Sequence, residues 1–435
     1  MNKLSSMTTA FASLQWLFFI FANIVVVPIS VGMAFELSSF EVASILRSSL
    51  IVTGIACVLQ GLIGHRYPIL EGPSGVIWGL ILNLSLSAST LGMSFTEIGG
   101  GIATGMLLAG GVTLILAACN LTFLLKKIFT PMVMSVYLFL LTFQLMIIFF
   151  EGMLKIDSDG RINLPISLFS VGLVVLVSFL KIKGNRLIRN FSILIGMVLG
   201  WILYTLLFST EQSMSGEAAP AFTIFPFGMP NLEIGIIAIT FLGCLLNLSN
   251  TIASVQAASI LYKETPTKSQ FKNSYLLTGC YSIVASLFGL VTYAPFASSI
   301  GFLESTQIFD RKPFIIGGAL ISVLGIIPSF GLLLSTLPIT VGNAVLFVAY
   351  MQLFGVSLKS LNGYKFNSIT IYRLAAPVLI GISIMTIEPS LFNNLPIYIL
   401  PIVSNGFIVG VLLSIVLEKL VKWDDYSLEA QRQGA

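Results

Sequence analysis

The sequence predicts an all-α polytopic membrane protein of 14 transmembrane segments, built as a 7+7 inverted repeat in which two segments are part extended chain and part half-helix. Three observations predict it. Only 9% of the residues are charged and 56% are hydrophobic, where a soluble protein carries about 25% charged residues. The apolar residues fall into runs of the roughly 20 that a helix needs to cross a bilayer. Lysine and arginine collect in alternate loops, 19 of the 22 on the side of the termini, because positive loops resist translocation. The net charge of +4 is therefore a topology signal and not the footprint of a nucleic-acid partner. The four cysteines (Cys57, Cys119, Cys244, Cys280) and the one histidine (His65) have no paired or clustered spacing, which excludes a disulfide scaffold and a His/Cys metal site.

In chain order, twelve runs read as ordinary spans: 11–32, 42–63, 99–118, 130–150, 165–180, 191–208, 232–260, 274–290, 314–334, 338–356, 374–387 and 397–420. The first is too long for a signal-peptide core and has no small-residue cleavage site, so it stays in the mature protein. Two more segments, 67–89 and 292–309, begin with proline- and glycine-containing stretches before turning apolar. An even total places both termini on one side, and the lysine and arginine bias makes that side cytoplasmic. The longest loop carries Glu211 and Glu217 and no lysine or arginine, so it faces outward. It divides the chain into a first repeat (1–208), a connecting loop (209–231), a second repeat (232–420) and a cytoplasmic tail (421–435). Seven spans per repeat, an odd number, force the second to run inverted relative to the first, an arrangement found in many secondary transporters.

The third span of each repeat is the irregular one. Tyr67-Pro-Ile-Leu-Glu-Gly-Pro-Ser-Gly75 and Tyr293-Ala-Pro-Phe-Ala-Ser-Ser-Ile-Gly301 each place tyrosine and glycine eight apart with proline between them. Pro68, Pro73 and Pro295 cannot donate backbone hydrogen bonds, so each segment is expected to enter extended and become helical only after Ser74 or Ser299. Non-helical backbone at that depth must be buried in protein or line a cavity. A half-helix N-terminus there offers free amides and a positive dipole end to a polar guest. Ser74, Gly75, Ser298 and Ser299 are thus candidate binding residues. The plainer alternative is two ordinary helices kinked by proline and glycine.

Charges inside spans are costly and usually functional. Glu71 lies in the first irregular segment and Glu304 in the second, and both are candidates for coupling to an ion; Glu304 could equally sit near the cytoplasmic end beside Asp310 and Arg311. Arg47, in the second span, reads as structural, a counter-ion for Glu71 or a side chain reaching outward. In the eighth span, Asn247, Asn250, Thr251 and Ser254 share one helix face. Their amides and hydroxyls suit the edge of a purine or pyrimidine, although helix–helix hydrogen bonding is the common alternative. Gln15 could line the same space, and the neighbouring Trp16 is equally an interfacial anchor. No nucleotide loop, catalytic triad or arginine ladder is evident. The pattern is that of a carrier driven by an ion gradient or by its substrate's own gradient, with no cofactor and no metal.

At these residues the chain resembles the nucleobase-ascorbate transporter family, the uracil and xanthine permeases. Leu14-Gln15-Trp16 through Asn23, followed by Val27-Pro28, is similar to that family's first-span Gln-His stretch, with Trp16 in place of His. Tyr67 through Trp78 is similar to its third-span motif, with Gly75 where an aromatic is usual, and Ser298-Ser-Ile-Gly301 with Arg311 is similar to its tenth-span signature. The resemblance implies a core domain (spans 1–4 and 8–11) holding a nucleobase between the two irregular segments. It also implies a gate domain (spans 5–7 and 12–14) that forms a homodimer, and uptake driven by H+ or Na+ across the plasma (inner) membrane. The family's tenth-span substrate Glu and Asn fall on Ser298 and Ser299, and its eighth-span Glu on Asn247, so specificity and coupling do not follow from those positions. Glu71 and Glu304 are expected to take over the coupling. A purine is the expected substrate, with a sulfate-type anion carrier on the same fold and an integral-membrane enzyme as rivals; the scarcity of membrane-embedded cations weighs against the first rival.

Overall fold

The computed structural model describes residues 6–86, 88–121, 127–156, 160–208, 222–361, 363–392, 394–396, 399–421 and 423. Lys3, Lys126, Lys422 and Arg432, the acidic Glu211 and Glu217, positions 209–221 of the connecting loop and 424–435 of the tail lie outside them.

The first half runs α1 (Ser6–Ile24), α2 (Val26–Ala34), α3 (Ser39–Leu62), β1 (Glu71–Pro73), α4 (Gly75–Leu86), a short α5 (Ala88–Leu91), α6 (Phe95–Ala118), α7 (Pro131–Met153), α8 (Leu164–Lys183) and α9 (Arg186–Leu207). The second half runs α10 (Ile234–Asn247), α11 (Ser249–Tyr262), α12 (Lys268–Leu287), β2 (Tyr293–Pro295), α13 (Ser298–Thr306), α14 (Arg311–Ile326), α15 (Pro328–Ser335), α16 (Ile339–Lys359), α17 (Ser368–Met385), a 3-10 turn at Pro389–Phe392, a short α18 (Leu400–Val403) and α19 (Gly406–Leu420). Seven helices among the described residues are long and apolar enough to cross a membrane: Ser6–Ala34, Ser39–Leu62, Phe95–Ala118, Pro131–Met153, Leu164–Lys183, Ile234–Tyr262 and Ser368–Met385. Gly75–Ser85, Phe191–Leu207 and Ile339–Met351 are shorter apolar helices.

The fold is not wholly helical. Both irregular segments start as strands, and the strands pair antiparallel with Glu71 opposite Pro295, Gly72 opposite Ala294 and Pro73 opposite Tyr293. The half-helices α4 and α13 begin two and three residues beyond them. Four stretches expected to be plain spans are interrupted. Pro328 has no N–H and leaves Ile327 extended, which splits α14 from α15. Pro401 sits in the short α18 ahead of α19. The breaks at Val25 and Leu248 are slight and occupy the corresponding span of each half. At the second of these, Leu248 N donates to Leu245 O, a tightened turn, and the Ser249 hydroxyl bonds Leu246 O, a side chain competing with the helix ladder.

The packing repeats with a shift of half the chain. α3 packs on α14 as α12 packs on α6, and α1 on α14 as α10 on α6. α17 packs on α19 as α8 packs on α9, and α19 on α7 as α9 on α16. Small residues make the closest of these approaches, as in membrane bundles generally. A Cβ at Gly318 would lie 3.1 Å from Gly54 O, and one at Gly54 would run into the Gly318 carbonyl. In the counterpart seam, a Cβ at Gly110 would lie 3.0 Å from Gly279 O, and one at Gly279 3.1 Å from Gly110 O.

Arg47 is not a counter-ion for Glu71. Its Nε donates to Gly325 O at 3.1 Å and its Nη2 to Ile326 O at 2.7 Å. These carbonyls end α14 just before the proline break, where the interrupted ladder leaves acceptors without intrahelical donors. Arg47 precedes Cys57, the α3 residue that meets the Glu71 backbone, by about 15 Å of helix rise.

Two outcomes follow. Gly54→Val lowers the thermal stability of the detergent-purified protein by roughly 1–3 kcal/mol of overpacking, whereas Gly172→Ala, whose added Cβ meets nothing within 4 Å, leaves it unchanged. Arg47→Ala strands buried carbonyls at a cost of about 1–3 kcal/mol, and Arg47→Lys, with a single nitrogen, recovers only part of the loss in the same melting assay.

Candidate functional site

The site grows from two strand segments that cannot complete a helix. Pro68, Pro73 and Pro295 remove ladder donors, so Leu70 to Ser74 and Thr292 to Phe296 satisfy each other instead. Beyond the strand register, Ser74 N donates to Thr292 O at 2.7 Å and Phe296 N to Leu70 O at 2.8 Å. Leu70 N donates to the Ser299 hydroxyl at 2.9 Å.

The α10–α11 junction clasps this crossing. Asn247 Oδ1 accepts from the Ser74 hydroxyl at 2.5 Å and from Asn250 Nδ2 at 3.0 Å, and Asn247 Nδ2 donates to Tyr293 O at 3.1 Å. About two turns on from Asn247, the Ser254 hydroxyl donates to Pro295 O at 2.9 Å. Four expected site residues, Ser74, Asn247, Asn250 and Ser299, therefore do come together. Asn247 thus spends both acceptor positions of Oδ1 and one hydrogen of Nδ2 on holding the strands together. The Thr251 hydroxyl is buried there without a hydrogen-bond partner among the described residues.

Gly75 opens α4 beside this clasp. The first-turn amides of α4 have no acceptor within the helix. Side chains from α7 and α16 close over that turn: a Cβ at Gly75 would lie 3.2 Å from Leu145 Cδ1 and 3.5 Å from a Tyr350 ring carbon. Tyr350 packs edge-on against Phe149 with ring centroids 5.5 Å apart, and Phe149 lies 5.2 Å from Trp78. Trp78 Nε1 donates to the Ser30 hydroxyl of α2 at 2.8 Å. Sequence reasoning missed Leu145, Phe149 and Tyr350, because an aromatic or leucine in an apolar run carries no local signal of what it faces. A cavity of about 10 Å³, room for one water, lies against Pro73 and Tyr293 where they meet α2 and α3.

The remaining candidates lie at the margin or outside. Ser298 and Gln15 are half-buried. Trp16 is no interfacial anchor: it is buried, 4.7 Å from the Phe302 ring of α13 and 4.9 Å from Phe314. Glu304 is exposed towards the C-terminal end of α13 and does not join the crossing, because the half-helix has carried it away from the strands by then. Glu71 is fully buried on β1.

Comparison with known proteins agrees with this architecture. The profile of a permease family, that of the xanthine and uracil permeases, matches residues 7–390. YwdJ, a Bacillus subtilis (strain 168) protein whose name marks it as a candidate purine permease, is 28% identical over 428 residues, covering 96% of this chain and 97% of the relative. Uric acid permease PucJ of the same organism is 27% identical over 424 residues, covering 93% of this chain and 90% of the relative. Among solved structures, the transmembrane domain of a cyanobacterium bicarbonate transporter, BicA, superposes with a TM-score of 0.60 at 14% identity, covering 93% of this chain and 97% of that one. At that identity the likeness shows the fold alone. With the match running through most of its length, the chain belongs to the xanthine and uracil permease family, the nucleobase-ascorbate transporters its motifs resemble, and is a multi-pass membrane transporter rather than an enzyme.

Proposed function

We propose that the protein is a secondary active transporter that imports a nucleobase, a purine rather than a pyrimidine, across the plasma (inner) membrane, coupled to a proton or sodium gradient. The chain then crosses fourteen times with both termini cytoplasmic, and spans 1–4 and 8–11 travel as a core against a gate of spans 5–7 and 12–14 that also forms the homodimer contact. The observation that carries the reading is the strand crossing itself. In a largely apolar molecule it gathers buried hydroxyls and amides beside the first turn of α4, whose amides have no acceptor within the helix and where Gly75 meets Leu145 and Tyr350. Those two side chains come from the fifth and twelfth spans, so the contact is one that a movement of core against gate would open and close.

The preference for a purine rests on the relatives: one, 27% identical, is named as a uric acid permease. It rests also on the aromatic surfaces of Tyr350, Phe149 and Trp78 near α4, which offer a flat apolar wall to a bicyclic ring. An anion would gain most from a cation at the crossing; the nearest candidate from the sequence, Arg47, is bonded to main-chain carbonyls elsewhere.

Binding of labelled hypoxanthine, guanine, adenine, xanthine, uric acid, uracil and sulfate to the purified protein tests the reading: at least one purine binds, and uracil and sulfate do not. Asn247→Ala, which releases Tyr293 O and the Ser74 hydroxyl, weakens purine binding by about tenfold, the equivalent of about 1.4 kcal/mol. Sulfate binding without purine binding overturns the proposal.

A further inference from the structure

Glu71 is the most unusual polar group in the molecule. Its residue is wholly buried, and among the described residues neither carboxyl oxygen meets a donor in good hydrogen-bond geometry; the nearest is the Gln60 amide, whose Nε2 is directed to Ser274 O. No lysine, arginine or histidine among the described residues forms an ion pair with it. Side chains alternate along β1, so Glu71 and its neighbour Gly72 look in opposite directions. A Cβ on Gly72 would meet Ile24 of α1 and Phe296, at 3.4 Å each. The Glu71 carboxyl instead faces the interior between α3 and α12. The amide of Gln60 and the thiol of Cys57 approach it from α3, the phenol of Tyr281 from α12, and the phenol of Tyr293 from β2. All four are neutral groups. The hydroxyls of Tyr281 and Tyr293 are directed to the Ala56 and Ser49 carbonyls, and Tyr293 also meets Thr53.

A carboxylate left unpaired in such surroundings is strongly disfavoured, and a carboxylic acid is not. The neighbours of Glu71 among the described residues bring no second carboxylate, and the two tyrosine hydroxyls are directed to main-chain carbonyls, so the surroundings suit a proton, which needs one oxygen, better than a sodium ion, which needs several. The backbone of the same residue is part of the crossing: Cys57 Sγ donates to Glu71 O at 3.5 Å, and Glu71 pairs with Pro295. Three residues further along, Ser74 reaches Asn247, and Gly75 opens α4.

We propose that Glu71 is a proton-binding positioning residue: it takes up and releases a proton behind the strand crossing, out of contact with the substrate, and its change of charge resets the crossing that carries Ser74 and Gly75. On uptake, a proton from water forms an O–H bond with the carboxylate; on release the same bond breaks and the proton returns to water. The neutral acid is compatible with the closed strand pair, and the anion requires the pair to loosen or water to enter. The polar surroundings continue towards the loop after α3, where Gln60 Oε1 accepts from His65 N at 3.4 Å and His65 Nε2 is buried without a partner. This inference rests on the reading of the chain as a cation-coupled permease.

Two measurements separate it from that reading. Infrared spectra of the purified full-length protein at neutral pH show the carbonyl stretch of a protonated carboxyl in wild type and in Glu304→Gln, and lose it in Glu71→Gln. This readout needs no substrate. In proteoliposomes with labelled hypoxanthine and uric acid, wild type accumulates the base against its gradient when the outside is acidified. Glu71→Gln, fixed in the neutral form, keeps base-for-base exchange but loses accumulation, and Glu71→Asp retains accumulation with a displaced pH profile. Absence of the band in wild type, its persistence in Glu71→Gln, or proton-driven accumulation by Glu71→Gln overturns the proposal, as does accumulation driven by sodium alone. If the band depends on Glu71 while no base on the panel is transported, the nucleobase reading falls and the proton site stands.

Discussion

An unbonded amide or carbonyl inside a bilayer costs several kcal/mol, and the two proline-rich segments of this chain meet that constraint by bonding each other. Neither could close its own helix across Pro73 or Pro295. Antiparallel pairing of three residues from each, extended at both ends by Ser74 N to Thr292 O and Phe296 N to Leu70 O, satisfies the strands with a partner more than two hundred residues away. Everything placed near the middle of the molecule is referenced to that pairing: the half-helices start from it, and Asn247 and Ser254 anchor the eighth span to it. The Glu71 carboxyl hangs from its inner side. The geometry of the candidate site is thus a by-product of solving a hydrogen-bond problem.

The fold was legible where the signal is local. Proline and glycine mark a backbone that cannot stay helical whatever surrounds it, so both irregular segments and their equivalence could be read from Tyr67 to Gly75 and Tyr293 to Gly301. The break at Ile327–Pro328 was equally available from Pro328 and was overlooked because the run around it is apolar. The slight break at Leu248 has no such marker, since it comes from hydroxyls competing with the ladder. Partners were less legible. The sequence placed Arg47 inside a span, but whether it meets a carboxylate or a pair of carbonyls depends on which helix packs beside it. The stripe of Asn247, Asn250, Thr251 and Ser254 faced inward as expected, yet the amide engages the strands, the outcome that helix-bundle chemistry favours. Tyr350 and Leu145 are ordinary residues of apolar runs and become interesting only through Gly75, where the missing side chain makes room for them.

The two halves differ in chemistry more than in shape. Both have a slight break in their first span, a capping box at the start of the second, from Ser38 with Glu41 and from Thr267 with Gln270, and a strand opening the third. The polar groups are distributed unevenly: Asn247 and Ser254 come from the second half, while the first contributes Ser74, Gly75 and the buried acid. Such a division lets the common backbone frame be kept while side chains on either half take up separate tasks.

The glycine contacts of α3 with α14 and of α6 with α12 have a mechanical consequence. A layer of side chains between two helices can be compressed and can change rotamer, but main chains already in van der Waals contact have no such slack. Helices joined in this way form a stiff frame, whose softest motion is displacement as a block rather than deformation within. A strand crossing mounted on that frame shifts as one unit and keeps its internal spacing as it does so.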